Sequence, residues 1–402
     1  MRRLFTHKPI ETVADAQRRA KRRLPKPVYT AILAANEKGW TSEQNVGAFT
    51  ELGFNPRVGT EIAPTRYMRT SLMDQEISMP VVISPAAAQA IHPEGEVPVA
   101  RASAKADIAI GQSNFAVSRF EDIAAANPKA FFQLYWSGTR ATTEERVERF
   151  RCAGAKGLIL TLDITASQPR DWGSPPVPEY VDLRAAIRFA PAALSRPRWL
   201  AGFLRGGGIP DLRVPNLETS KRPAPTMIQG FADWMSTPLP TWQDIAWLRD
   251  IWGGPFMVKG ILHPDDARRA VDAGATAVGV SNHGGNNLDT TPSPLRYLPG
   301  VIEAVGDQVE VTFDSGIRRG ADVVKVLALG ARAALIGRSW FFGLGADGER
   351  GVKEVLDSYR LSMDRTLIAL GKSSIQELTP DDVVVPEGFF LKKTEPLSIA
   401  QR

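Results

Sequence analysis

The chain has 402 residues, 43% of them hydrophobic and 23% charged, with a net charge of +5, the composition of a globular protein with a sizeable core rather than a disordered one. Its only cysteine, Cys152, excludes an intrachain disulfide and a cysteine metal cluster. No stretch approaches the roughly 18 apolar residues of a spanning helix, and the basic N-terminus has no apolar run behind it, so we expect a cytoplasmic protein without a membrane span. The mild basic excess fits phosphate-bearing ligands as well as nucleic acid. Its densest run, Arg18 to Arg23, reads as a solvated helix face and not as a nucleic-acid or membrane contact.

Residues 1–79 read as an N-terminal helical cap and a lead-in. Ile10, Val13, Ala16 and Ala20 share one helical stripe, and Pro25 and Pro27 break the pattern before a second helical piece. Residues 41–79 are mixed and short-ranged, and predict loops and small strands.

From Pro80 the pattern becomes regular. Apolar runs at Pro80–Ser84, Ile108–Ser113, Ala130–Trp136, Gly157–Asp163, Pro255–Gly260, Ala277–His283, Val309–Gly316 and Ala333–Arg338 predict strands. Helical stretches such as Glu144–Cys152, Thr241–Trp252, Pro264–Ala273 and Gly320–Leu329 lie between them. This alternation predicts an α/β fold, a (β/α)8 TIM barrel over residues 80–380 with a tail over 381–402. A doubly wound open sheet is the rival, but no Gly-x-Gly-x-x-Gly fingerprint follows a first strand.

One gap is anomalous. Residues 164–240, after the fourth strand, hold twelve of the 30 prolines together with Trp172, Trp199, Phe203, Phe231 and Trp234. A segment this long inside a compact domain predicts a lid insertion, here over the C-terminal mouth of the barrel.

Barrel enzymes carry their sites just past the strands, so the polar residues ending each run are the candidate site. The third strand ends Gln133-Leu134-Tyr135 and the fourth Thr161-Leu162-Asp163, each placing two polar groups on one face. The fifth ends in Lys259, whose charge in a barrel mouth needs an anion nearby. The sixth ends Ser281-Asn282-His283 before two glycines, which places His283 for proton transfer. Asp314-Ser315-Gly316-Ile317-Arg318-Arg319 and Gly337-Arg338 end the seventh and eighth, where glycine N–H groups and arginine forks suit a phosphate.

In this order and spacing the six motifs resemble the FMN-dependent 2-hydroxy acid dehydrogenase and oxidase family, over about residues 24–371. The resemblance implies FMN as cofactor and a homo-oligomer, with a tetramer common in the family. It implies His283 as active-site base, Asp163 holding its imidazole, Tyr135 bonding the reacting hydroxyl, and Lys259 near the flavin's pyrimidine edge. Gln133, Thr161, Ser113 and Ser281 resemble ring contacts. Asp314, Gly316, Arg318, Gly337 and Arg338 fall in the phosphate-side loops, and the backbone of Pro85-Ala86-Ala87 would face the reactive nitrogen. No metal is implied.

The chain departs from the family where the substrate carboxylate binds. Arg170 matches one substrate arginine, but Asn286 stands where the family has another, and Ala31 where it has a tyrosine. A hydrogen bond to a charged group contributes about 1.5–3 kcal/mol, so a site missing two of three anchors is not tuned for a small 2-hydroxy acid. Asparagine offers a donor and an acceptor, which suits an amide or lactam.

A narrower resemblance agrees. The run Ser281 to Asp289, with Arg170-Asp171-Trp172-Gly173-Ser174-Pro175 and Asp211-Leu212-Arg213-Val214-Pro215-Asn216, is similar to the mycofactocin-biosynthesis branch of the family. That branch implies oxidative deamination of an amino-lactam, derived from the Val-Tyr end of a peptide, to an α-keto amide. A bulky L-2-hydroxy acid held by Arg170 alone is the alternative substrate. A non-catalytic flavin-binding partner protein is the remote one, disfavoured by the intact Tyr135, Asp163, Lys259 and His283.

Overall fold

The computed structural model describes residues 8–165, 168–173, 178–209 and 212–391, and the account below concerns these. Each predicted apolar run contains a strand: β1 Val81–Ile83, β2 Ile110–Ser113, β3 Ala130–Tyr135, β4 Leu158–Thr161, β5 Phe256–Ile261, β6 Ala277–Val280, β7 Glu310–Asp314 and β8 Ala333–Ile336. Each pairs in parallel with its sequence neighbours, and Ile336 against Ile83 closes the ring, so the fold is a TIM barrel. Almost every strand residue is buried, as expected where helices cover the outside and side chains fill the inside.

The end of the barrel where the strands begin is plugged. Strand residues including Val82, Phe131, Ile159 and Met257 pack with Leu72, Met73 and Ile77, carried by the hairpin Thr70–Leu72 and Gln75–Ile77. Only the opposite mouth is left for a ligand.

The N-terminal stripe is buried as predicted, with Ile10, Val13, Ala16 and Ala20 at most 4% exposed. Helix α1 (Val13–Arg23) is capped by the Thr12 hydroxyl, and α2 (Lys26–Leu33) follows the break at Pro25. The expectation of loops and small strands over residues 41–79 needs correction, because α3 (Trp40–Glu51) occupies Trp40 onward. Its signal is absent locally: Gly39 precedes it with φ +82° and no side-chain cap. The caps come from far away. The Asp289 carboxylate accepts from the N–H groups of Gly39, Trp40 and Thr41 at 3.0, 3.2 and 2.7 Å, and Lys325 donates to the Phe49 and Leu52 carbonyls, both at 2.7 Å.

This helix matters because it carries the loop after β6. Asn45 and Asn282 exchange two amide hydrogen bonds, each 2.8 Å, and both are buried. The loop after β7 meets α3 as well: at Gly316, with φ +88°, a Cβ would lie 1.9 Å from the Asn45 carbonyl oxygen, so no larger residue fits.

The insertion after β4 is largely helical where described, with helices Leu183–Leu194, Pro197–Arg205 and Met227–Ser236. Ser174 and Pro175, and Asp211, from the motifs quoted above, lie outside the described residues. At the C-terminal end Val383–Val384 pairs antiparallel with Gly53–Phe54.

Candidate active site

The polar residues that end β3 to β7 converge on one hydroxyl. Ser281 Oγ donates to Asp163 Oδ2 at 2.9 Å and accepts from Lys259 Nζ at 2.9 Å and from the His283 N–H at 3.0 Å. Asp163 Oδ1 lies 2.8 Å from His283 Nδ1, and on the other side of the ring Nε2 is 3.3 Å from the Tyr135 hydroxyl. His283 itself has φ +55°, a sparsely populated conformation for a residue with a side chain.

Lys259 finds the anion that its burial demands. Its Nζ lies 2.8 Å from Asp314 Oδ2 and 3.9 Å from Asp163 Oδ2, with both partners buried. Asp314 also accepts from Ser84 Oγ at 3.3 Å and Ser315 Oγ at 2.9 Å, so its carboxylate serves the lysine rather than facing a phosphate. Ser315 adopts φ +93°, and this strain is offset by its hydroxyl, which also accepts from the Gly284 N–H at 3.0 Å.

The charges follow from these contacts. Burial alone would raise the Asp163 carboxyl, but the Lys259 charge, the imidazole and the Ser281 hydroxyl hold it well below the ordinary carboxylate range. Burial opposes the Lys259 ammonium, but Asp314 and Asp163 outweigh it and raise its pKa. Burial, then the charges of Asp163 and Asp314, push the Tyr135 phenol upward. An ionised Asp163 draws the imidazole proton to Nδ1 and leaves the Nε2 lone pair on the open side.

Above this cluster lies a cavity of about 290 Å³. Of the anticipated residues, Pro85, Ala86, Ala87, Ser113, Tyr135, Lys259, His283, Asp314, Gly316, Arg318, Gly337 and Arg338 line it. Gln133, Thr161, Asp163 and Ser281 do not line it; Asp163 and Ser281 bond to wall residues from behind.

The residues present fit FMN. Both side-chain amide atoms of Gln133 and the Thr161 hydroxyl are buried without a partner among the described residues, a costly state unless another molecule supplies one. Arg318 and Arg338 share the wall, and burial lowers both; Arg338 is pushed down to about 9, with Arg318 the next cause. Two guanidinium groups that depress each other call for an anion between them. Arg338 bonds only main-chain carbonyls, those of Leu33 at 2.8 Å and Ala34.

On the substrate side, Ala31 and Asn286 both line the cavity. Arg170 does not line it. It sits half-buried, its main chain bridged to Glu37 and its guanidinium 5.2 Å over the Trp172 ring. The remaining wall is apolar, from Phe115, Met227, Phe231 and Trp234. Sequence reasoning did not assign these to the site, since three come from the insertion and Phe115 carries no polar signal. Ser84 and Ser315 were missed as partners of Asp314 for a related reason, because a lone serine beside a strand end is an ordinary feature.

A barrel whose open mouth combines a polarised histidine, a charged lysine and an arginine-lined anion site defines a flavin-dependent oxidoreductase. The chain belongs to the FMN-dependent dehydrogenase family, whose model matches residues 20–385, and it is an FMN-dependent oxidoreductase. It is 55% identical to the pre-mycofactocin synthase of Mycobacterium tuberculosis, over 94% of this chain and 96% of that protein. It is 34% identical to the L-lactate dehydrogenase of Pseudomonas syringae, over 92% of this chain and 97% of that one. Among solved structures, that of (S)-mandelate dehydrogenase, a monotopic membrane protein, matches with a TM-score of 0.84 and 30% identity over 94% of this chain and all of that one.

Proposed function

We propose that this protein oxidises a neutral amino-lactam to an α-keto amide in mycofactocin biosynthesis. The observation that carries the reading is the pair Asn286 and Ala31 in the cavity wall, near His283 and with no arginine on the lactam side. A carboxylate there would lose its charged partner, whereas an asparagine side chain can donate to a lactam carbonyl and accept from a lactam N–H. The identity to pre-mycofactocin synthase, well above that to L-lactate dehydrogenase, supports the same choice.

Bound FMN supplies the two-electron acceptor. Gln133, Thr161, Ser113 and Ser281 would hold its ring, with the backbone of Pro85 to Ala87 along one face; Arg318, Gly316, Gly337 and Arg338 would hold its phosphate. Lys259 keeps a fixed positive charge beside the ring site, where negative charge accumulates on reduction. His283 takes a proton from the substrate at Nε2, and the resulting imidazolium is held by Asp163 through Nδ1. Tyr135, still protonated, orients the amine by hydrogen bonding. Loss of two electrons and two protons from the C–N unit leaves an imine, and water then adds and ammonia leaves to give the ketone.

The test is anaerobic. The amino-lactam should bleach the yellow protein and L-lactate should not. Bleaching by L-lactate at ordinary efficiency would favour the L-2-hydroxy acid reading, with Arg170 reorienting toward the cavity. No bleaching by either would leave both readings without support.

A further inference from the structure

The insertion between β4 and β5 presents a face that the active site does not use. Residues 183–209 contain Arg184, Arg188, Arg196, Arg198 and Arg205 and no acidic residue. On helix Leu183–Leu194, Leu183, Ile187 and Leu194 are 77%, 67% and 68% exposed. At about 100° per residue these three fall within about 40° of one another, with the exposed Arg184 and Arg188 along one side of the stripe. On the next helix, Pro197–Arg205, Leu204 is 64% exposed and lies beside the exposed Arg205.

The inner face of the same segment is firmly docked. Ala185, Trp199 and Phe203 are buried, Trp199 Nε1 donates to the Ala90 carbonyl at 2.9 Å, and Arg196 Nε donates to the Leu24 carbonyl at 3.1 Å. The apolar stripe therefore points away from the barrel although the helices that carry it are packed against it. None of its residues lines the active-site cavity.

We propose that this face seats on an anionic lipid surface, with Leu183, Ile187, Leu194 and Leu204 entering the boundary between headgroups and acyl chains and the arginines meeting lipid phosphates. An amphipathic helix of cationic polar residues and protruding aliphatic ones has the composition of an interfacial helix. Charge selects this occupant over a second copy of the chain. A two-fold contact would set the same arginines against each other, and residues 183–209 offer no carboxylate to pair with them.

The experiment sediments the full-length, flavin-loaded protein with phosphatidylcholine vesicles, with and without phosphatidylglycerol. We expect binding only to the phosphatidylglycerol vesicles, weakened by salt. The triple variant Leu183→Ser, Ile187→Ser, Leu194→Ser and, separately, Arg184→Gln with Arg188→Gln should each lower the bound-to-free ratio about tenfold or more, with flavin content and turnover in solution unchanged. Failure of the unaltered protein to bind phosphatidylglycerol vesicles overturns the proposal, and so does binding that both variants retain. If instead the protein ignores vesicles and its mass by light scattering falls in the serine variant, the face belongs to a second copy and the lipid assignment is wrong.

Discussion

Trp234 of the insertion lies on Tyr135 at the end of β3, with ring centroids 4.0 Å apart and planes 27° from parallel. Phe115 meets both rings, its centroid 5.7 Å from Tyr135 and 5.4 Å from Trp234. The insertion is thus built into the wall of the reaction cavity through an aromatic contact with the residue that faces His283 Nε2. Replacing Trp234 with Ala removes both a wall and the restraint on Tyr135. Aromatic pairs contribute about 0.5–1.5 kcal/mol beyond their buried area, and we expect kcat/KM to fall roughly tenfold to a hundredfold, mostly through KM, with flavin retained. Steady-state kinetics with the amino-lactam measure this, and an unchanged KM would contradict it.

Replacing His283 with Ala should leave FMN bound, because the arginines and the polar groups of β3 and β4 are untouched. The rate of anaerobic flavin reduction should fall by roughly two to four orders of magnitude, the usual contribution of a positioned base. Near-normal reduction in a yellow variant would falsify the assigned role.

For Asn286 the direction depends on the substrate. Asn286→Arg should bury a charge opposite a neutral amide and weaken turnover of the lactam, at a cost of about 1–3 kcal/mol. Combined with Ala31→Tyr, it should raise activity toward an L-2-hydroxy acid more than either change alone, since both residues line one cavity. The measurement is kcat/KM for both substrates across the four proteins of the cycle.

Asp289→Ala tests the remote cap of α3. The carboxylate takes three backbone N–H groups and is buried, so we expect a stability loss of about 1–3 kcal/mol, read from the urea midpoint. Because the loop from His283 to Asp289 loses its tether to α3, catalysis should fall as well. A variant as stable as the parent would show that water replaces the cap.

The pH dependence follows from Asp163 and Lys259. The Asp163 carboxyl lies below its unfolded value of about 3.9, so its contribution is fully present above that value and is lost as pH falls toward the folded one. Lys259 lies above its unfolded value of about 10.4, so its contribution is present below that and lost as pH rises through the folded value. Stability should therefore fall at both extremes. In Asp163→Asn the acid limb should be shallower, as measured by urea midpoints between about pH 3 and pH 7.

The sequence by itself determined the barrel and most of the polar ring. Strands buried on both faces become continuous apolar runs, and the rule that site residues follow such runs marked Tyr135, Asp163, Lys259, His283 and Arg338 without any contact being known. The similarity of spaced motifs then supplied the flavin. Tertiary structure decided what depends on groups distant in the chain. Helix α3 was invisible because both of its caps, Asp289 and Lys325, lie more than two hundred residues away. The partner of Lys259 was equally hidden, since an anion was required but no spacing says which carboxylate of five strand ends will meet it; Asp314 does, at 2.8 Å. The cavity's aromatic wall belongs to the same class. A proline-rich insertion shows that it has apolar surface to bury, but only packing puts Trp234 on Tyr135 and leaves Leu183, Ile187 and Leu194 facing outward. Periodicity is a local property that a single chain displays, whereas the choice of partner is a property of the closed barrel.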